Sequence, residues 1–507
     1  MMKMNRTAIH IICMLVLFFL CGNAYAAGKE MNTRSASGLN SDPVVSEPKL
    51  SREAVQQAFQ EGYEEFEDGD YAEACPLFYT YLRNSSPDDE DYEWAEFFFG
   101  ICLKKSGFSH AAVDTLAHLV TRKPNPKIVS YCLEFFEQTI RTVPFDQDLV
   151  INKVICDQEY GFVEKELSDF INYHQGVYDW AHGFPAWGDE HFSKIRPETY
   201  YFYRSQYHRS LRLIHEDRID EALALLRTIV ENRFPDDPFK DEARKTIARL
   251  LYEKGSYGEA DQMYAAITMN ILEQSQNMLE RAWAYYRIGN PEKAMGFLYA
   301  FEAPSFQNHF TPEYYILKSF IFKDVCHYQS ALSVVNDFNK RYGSALAEIY
   351  QRGNPEENYP LMLVLLSKRK INETWKFLEL LETEEQKIMM IPDKPLQDYL
   401  AKMYALQKAE SSGNLRLYVQ NEYETMANQL LQYEEEAHLM EYEIGVDMYQ
   451  RVSESHYREE ADNRKGDVDG LVVYPFQGEF WNDELADYHV KLPDKCNNTE
   501  EWDIFFK

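Results

Sequence analysis

Basic residues are scarce in this chain. Lys and Arg number 52 against 83 Asp and Glu, and the net charge is −31. Residues 1–26 hold Lys3 and Arg6 and no acid, so the remainder of the chain is more acidic still. Nucleic acids and anionic lipid surfaces both require a basic footprint, so no nucleic-acid partner is expected. Catalytic signatures are missing as well. The sequence has no HExxH, GxSxG, GxxxxGK[ST] or GxGxxG, the patterns that place a metal, a nucleophile or a phosphate. Carboxylate pairs arise by chance among 83 acids and carry no glycosidase argument. Of eight cysteines, Cys13 and Cys21 fall in the first 26 residues. The others, Cys75, Cys102, Cys132, Cys156, Cys326 and Cys496, show no CxxC or Cys/His metal spacing. The expectation is a protein that is not an enzyme and holds no cofactor or metal.

Long apolar runs are also lacking. The longest, Ile9–Leu20, is interrupted by His10 and is shorter than the roughly 20 residues a spanning helix needs. With Lys3 and Arg6 before it and Ala24-Tyr25-Ala26 after it, it reads as a secretory signal over 1–26. Cys21 follows Leu20, where a lipid-acceptor cysteine is usually preceded by a small residue. The chain is therefore expected to be exported to the periplasm or the outer membrane, with no integral span after cleavage. Residues 27–50 are small, polar and proline-punctuated and read as a flexible leader.

What the sequence does contain is a pattern written twice. Gly62, Phe66, Gly69, Tyr71, Ala74, Phe78 and Pro87 are matched by Gly100, Leu103, Gly107, Ala112, Leu116 and Pro124. The intervals Gly62 to Gly69 and Gly100 to Gly107 are equal, as are Gly69 to Ala74 and Gly107 to Ala112. A small residue in one helix, a turn glycine, then alanine and a large apolar residue in a second helix describe a tightly crossed helical hairpin. Ala222, Ala260, Ala294 and Ala331 continue the series at intervals of 38, 34 and 37 residues. Ser51 marks the start of the first helix as its N-cap.

This array resembles the tetratricopeptide repeat (TPR), whose period is about 34 residues. The resemblance covers about half the chain with clear units. It implies an all-α, right-handed α-solenoid of helix hairpins, with a short C-terminal tail closing its end. TPR-like units are expected over 51–175 and 198–390, further helices over 391–460, and a loop and tail over 461–507. Glu65 departs from the usual tyrosine, and Asp217 and Cys326 stand where the turn glycine belongs. The family's proteins present a concave groove to a partner segment, which implies a non-enzymatic scaffold for protein partners in an envelope complex. No particular oligomeric state follows.

In that register the groove stripe comprises Tyr63, Trp94, Phe97, Tyr207, Lys245, Arg249, Tyr252, Trp283, Tyr286 and Arg287. Aromatics and arginine are the residues binding hot spots favour, and Lys245, Arg249 and Arg287 would form a basic patch for an acidic partner feature. Residues 176–197, rich in glycine, proline and aromatics, are expected to form an irregular insertion. Its His182, Phe184 and Trp187 support an alternative, a carbohydrate-binding envelope protein on a TPR-like scaffold. Nearby His174, Asp189, Glu190 and His191 lack helical ligand spacing, and Asp467-Val468-Asp469-Gly470 lacks the later ligands of a calcium loop. Cys75 and Cys102, on neighbouring helices, are either bridged or buried as free thiols. The apolar tail around Tyr474, Phe476, Phe480 and Trp481 either folds back as a cap or docks a partner.

Overall fold

The computed structural model describes residues 50–232, 238–267, 271–306, 309–351, 365, 368–458 and 489–496. The expected signal (1–26), nearly all of the leader, the 467–470 stretch and the tail over 471–488 lie outside these. Among the described residues there are helices and no strand. In chain order they are α1 Arg52–Asp68, α2 Tyr71–Asn84, α3 Tyr92–Lys105, α4 Ser109–Thr121, α5 Pro126–Thr139, a π-helical stretch Asp148–Ile155, α6 Lys165–Ala181, α7 Pro185–Lys194 and α8 Tyr200–His215. Then come α9 Ile219–Val230, α10 Pro238–Glu253, α11 Tyr257–Ala265, α12 Ile271–Ile288, α13 Pro291–Ala300, α14 Pro312–Asp324, α15 Tyr328–Gln351, α16 Arg369–Ile388 and α17 Lys394–Arg458. The chain divides into two compact units, one of residues up to 209 with 376–412, the other of 210–375 with 413 onward.

One local device builds most of both units. The first helix of a hairpin ends in a residue in the left-handed region. Gly69, Gly107, Gly183, Gly255 and Gly289 hold φ between 80° and 87°, and Asp217 and Cys326 hold φ 59° and 62°. Each turn closes with the same pair of hydrogen bonds. In the first, Gly69 N–H donates to Phe66 O at 3.2 Å and Asp70 N–H to Glu65 O at 2.9 Å. In the last, Cys326 N–H donates to Lys323 O at 2.9 Å and His327 N–H to Phe322 O at 2.8 Å. This is the Schellman closure, which satisfies carbonyls the helix end would leave bare. Asp217 and Cys326 therefore do the turn glycine's work, at some cost in backbone strain.

Around each turn the same spacing recurs. A small residue lies seven before the turn, a second small residue five after it, and a large apolar residue four beyond that. Gly100 shows why the small residue is needed: a Cβ there would stand 2.6 Å from Leu116 Cδ2. Ser210 and Ser319 fill that position in two later hairpins and are fully buried.

The expected insertion over 176–197 is one of these hairpins, not a loop. Gly176, Gly183, Gly188 and Phe192 carry the spacing in full. Pro185 sits in the first turn of α7, where its missing N–H costs nothing. A Cβ at Gly176 would meet Phe192 Cε1 at 2.6 Å, so the helices cross with almost no side chain between them.

Within the first unit, α1–α4 share a core with residues of 376–412. Phe78, Phe99, Leu103 and Ala112 pack with Leu381, Leu396, Leu400 and Tyr404. The buried Glu384 carboxylate accepts from Ser109 N–H at 2.7 Å, His110 N–H at 3.0 Å and the Tyr404 hydroxyl at 2.6 Å. It thus caps the amino end of α4 from a remote part of the chain, where the helix dipole favours an anion. Cys75 and Cys102 remain free and buried.

Within the second unit, α12–α15 pack against Leu430, Ala437, Met440 and Ile444 of α17. Residues 489–496 lie on the same body. Val490 N–H donates to Glu292 O at 3.1 Å, Lys495 N–H to Val325 O at 3.1 Å, and Leu492 is buried. A disulfide joins Cys326 to Cys496, 170 residues apart.

Candidate functional site

The ten expected groove residues divide between the two units. Tyr63, Trp94, Phe97 and Tyr207 fall in the first. There α1 and α3, the first helices of two successive hairpins, and α5 bring a run of rings together. Tyr63 packs edge-on to Phe98 at 5.4 Å between centroids, and Trp94 stacks on Phe98 at 5.8 Å. Phe97 stands 5.8 Å from Tyr131. Lys127 holds its ammonium 6.0 Å from the Trp94 ring and 5.8 Å from that of Tyr131. Tyr63, Tyr131 and Lys127 are exposed, while Trp94 and Phe97 are half-buried. Phe98, Tyr131 and Lys127 lie outside the expected stripe: Phe98 adjoins Phe97 on α3, and the stripe took no residue from α5. Tyr207 is buried on α8 and is not part of this run.

The second unit holds Lys245, Arg249, Tyr252, Trp283, Tyr286 and Arg287, and there the polar groups answer one another. The Arg249 guanidinium spans both oxygens of Glu280, its Nε at 3.1 Å from Oε2. Burial pushes the Glu280 carboxyl up, but the charge and hydrogen bonding of Arg249, with Lys245 and Tyr264, outweigh it and hold the pKa at about 2. Trp283 Nε1 donates to Glu313 at 2.8 Å, and the Tyr286 hydroxyl donates to Asp324. Arg287 bonds the Tyr252 hydroxyl. The basic residues of the expected patch meet a carboxylate and a phenol supplied by their own unit.

Glu313 has the opposite balance. Burial raises its carboxyl from 4.5 to about 7, against the hydrogen bonds from Trp283 and Tyr433, and the nearby Glu280 and Glu436 add to the rise. A carboxyl whose pKa rises on folding contributes stability that is full below the unfolded value and lost as pH climbs through the folded one. The window here is pH 4.5 to about 7. Glu313→Gln is therefore expected to stabilise the chain at pH 8 by about 1–2 kcal/mol and to leave it unchanged near pH 4. Denaturant melts of both proteins at the two pH values check this.

At the turn of the α6–α7 hairpin, Phe184 and Trp187 stack at 4.9 Å with 16° between planes, and are 49% and 60% exposed. His182 stacks on Tyr178 at 3.9 Å. His174 is half-buried among Phe170, Tyr173 and Tyr201, and His191 Nδ1 lies 3.0 Å from Asn172 Oδ1. Among the described residues no three His, Cys, Asp or Glu side chains converge on one point.

No family model and no curated protein matches this sequence. Among solved structures, the chain is similar to a tetratricopeptide repeat protein from Parabacteroides merdae ATCC 43184, at 12% identity over 57% of this chain and 93% of that one, with a TM-score of 0.23. It is also similar to a circular tandem repeat protein with novel repeat topology, at 13% identity over 81% and 91% of the two chains, with a TM-score of 0.14. Both likenesses are too slight to bear on function, and the TPR-like assignment rests on the hairpins themselves.

Proposed function

We propose that this chain is a non-enzymatic scaffold of a bacterial envelope complex, and that a partner protein's segment lies along the ring run Tyr63–Phe98–Trp94–Phe97–Tyr131. That run is the observation that carries the reading. It runs across α1, α3 and α5, and its edges reach solvent beside Lys127. Half-exposed Tyr and Trp combine large contact area with little side-chain entropy to lose, which is why they anchor interfaces. Lys127 favours a partner segment with apolar side chains and a nearby carboxylate. Export into an oxidising compartment is part of this proposal. It is supported by the signal pattern over 1–26 and by the Cys326–Cys496 bridge, since such bridges persist outside reducing cytoplasm.

The test is a crosslinked affinity capture from envelope extract with the chain from residue 27 onward. Trp94→Ala combined with Tyr131→Ser is expected to reduce capture of a discrete protein by at least about tenfold, some 1.4 kcal/mol, with unchanged helicity. Equal capture by the double variant contradicts the reading.

The exposed Phe184–Trp187 stack favours a second reading, carbohydrate binding, because parallel rings open to solvent suit the face of a sugar. Retardation in polysaccharide-containing gels that Trp187→Ala abolishes would support it.

A further inference from the structure

Helix α17 carries two apolar stripes over its later turns. Leu430, Ala437, Met440 and Ile444 are buried in the second unit's core. Leu439, Tyr442, Val446 and Tyr449 recur at intervals of three, four and three, which at about 100° per residue sets them on the opposite side of the helix. Leu439, Tyr442 and Tyr449 are 57%, 70% and 75% exposed. Tyr350 of α15, also exposed, is tied alongside, its hydroxyl donating to Glu434 Oε2 at 2.7 Å. The core does not use this second stripe, and a stripe of that spacing is what a second helix packs against.

Charge says which helix. From Leu417 to Gln450 the chain has eight Asp and Glu and no Lys or Arg. Lys368 answers Glu422, and Lys323 answers Glu443 and Asp447. Glu435 is exposed in line with the apolar stripe one turn before Leu439, and the exposed Glu441 lies farther round the helix, about 120° from the stripe's centre. We propose that this face docks a basic amphipathic helix of a partner protein, its apolar seam on Leu439, Tyr442, Val446 and Tyr449 and its Lys or Arg side chains against Glu435 and Glu441. Complementary charge speeds encounter and rejects wrong partners. A second copy of this chain would bring the same acids to the contact, and like charges there are unfavourable. The surface goes beyond the ring run of the first unit and is tested apart from it.

The probe is a synthetic helical peptide of about three heptads, leucine at three–four spacing and lysine elsewhere, titrated into the full chain by fluorescence anisotropy at about 0.15 M salt. It is compared with a scrambled peptide of identical composition and with a leucine–glutamate peptide. The amphipathic lysine peptide is expected to bind at least about tenfold more tightly than either. Leu439→Ser, Tyr442→Ser and Tyr449→Ser together are expected to erase that preference, and Glu435→Gln with Glu441→Gln to weaken binding and flatten its salt dependence. Trp94→Ala is expected to change nothing here. Equal binding of the scrambled peptide, or full binding to the triple serine variant, overturns the proposal. So does protection of Tyr442 and Tyr449 from covalent labelling in the free chain. A concurrent dimer by sedimentation would then assign the face to a second copy, and a monomer would assign it to residues 459–488.

Discussion

Glu384→Ala is expected to lower the stability of the first unit by about 4 kcal/mol, since each buried donor left unsatisfied costs on the order of 1–3 kcal/mol. The Glu384 carboxylate accepts two backbone N–H groups at the start of α4 and the Tyr404 hydroxyl. With alanine, three donors lose their acceptor, two of them on the buried His110 and Tyr404. Water is poorly placed to replace the carboxylate, because the His110 ring, packed edge-on to Phe377 and Tyr404, fills the neighbouring space. Glu384→Gln retains one acceptor oxygen and is expected to cost about half as much. The measurement is hydrogen exchange across α4 and residues 376–412, read alongside thermal melts. Loss of protection is expected there, with α12–α15 unchanged. A Glu384→Ala protein with wild-type protection in α4 would show that the cap contributes little.

Gly188→Ala is the second large effect, expected to cost about 3 kcal/mol by overpacking. A Cβ at this position would lie 2.0 Å from Trp180 Cδ1 and 2.7 Å from the Gly176 carbonyl oxygen. Trp180 has little freedom to withdraw, because its Nε1 donates to Pro185 O at 3.0 Å and its ring packs edge-on to Phe192. The neighbouring carbonyl is backbone, so the two helices must separate. Gly69→Ala is the control: nothing lies within 4 Å of its Cβ and only the left-handed φ of 86° is at issue, so about 1 kcal/mol is expected. Denaturant melts of the two variants should rank Gly188→Ala well below Gly69→Ala. The reverse order would mean that the α6–α7 crossing is looser than described.

The repeats were legible because the hairpin is a local object. The small residue, the turn and the second small residue lie within twelve positions, and sterics at one crossing dictate all three. The same rule went unread at Gly176–Gly183–Gly188, where glycine replaces alanine and Pro185 and Trp187 give the stretch a loop's composition. Helices were also expected over 391–460, where α17 lies. Partners set by the wider fold were not. Glu384 meets Ser109 across 275 positions and Cys326 meets Cys496 across 170, and no short pattern marks either. The pairing of Arg249 with Glu280 lies between these cases. They are 31 residues apart, and Trp283 and Glu313 are 30 apart, close to one repeat. Opposite or complementary groups one period apart on successive first helices meet side by side. Applied to Lys245, Arg249 and Arg287, that rule replaces a cationic patch open to a partner with a network internal to the unit.

The central claim is that the ring run on α1, α3 and α5 receives a partner. The most direct measurement is hydrogen exchange, together with covalent labelling of tyrosines, on the chain alone and on the captured complex. The expected result is new protection of Tyr63 and Tyr131 and slower exchange along Arg52–Asp68, Tyr92–Lys105 and Pro126–Thr139. A complex that leaves those three helices and both tyrosines as reactive as in the free chain, with protection appearing elsewhere, would contradict it.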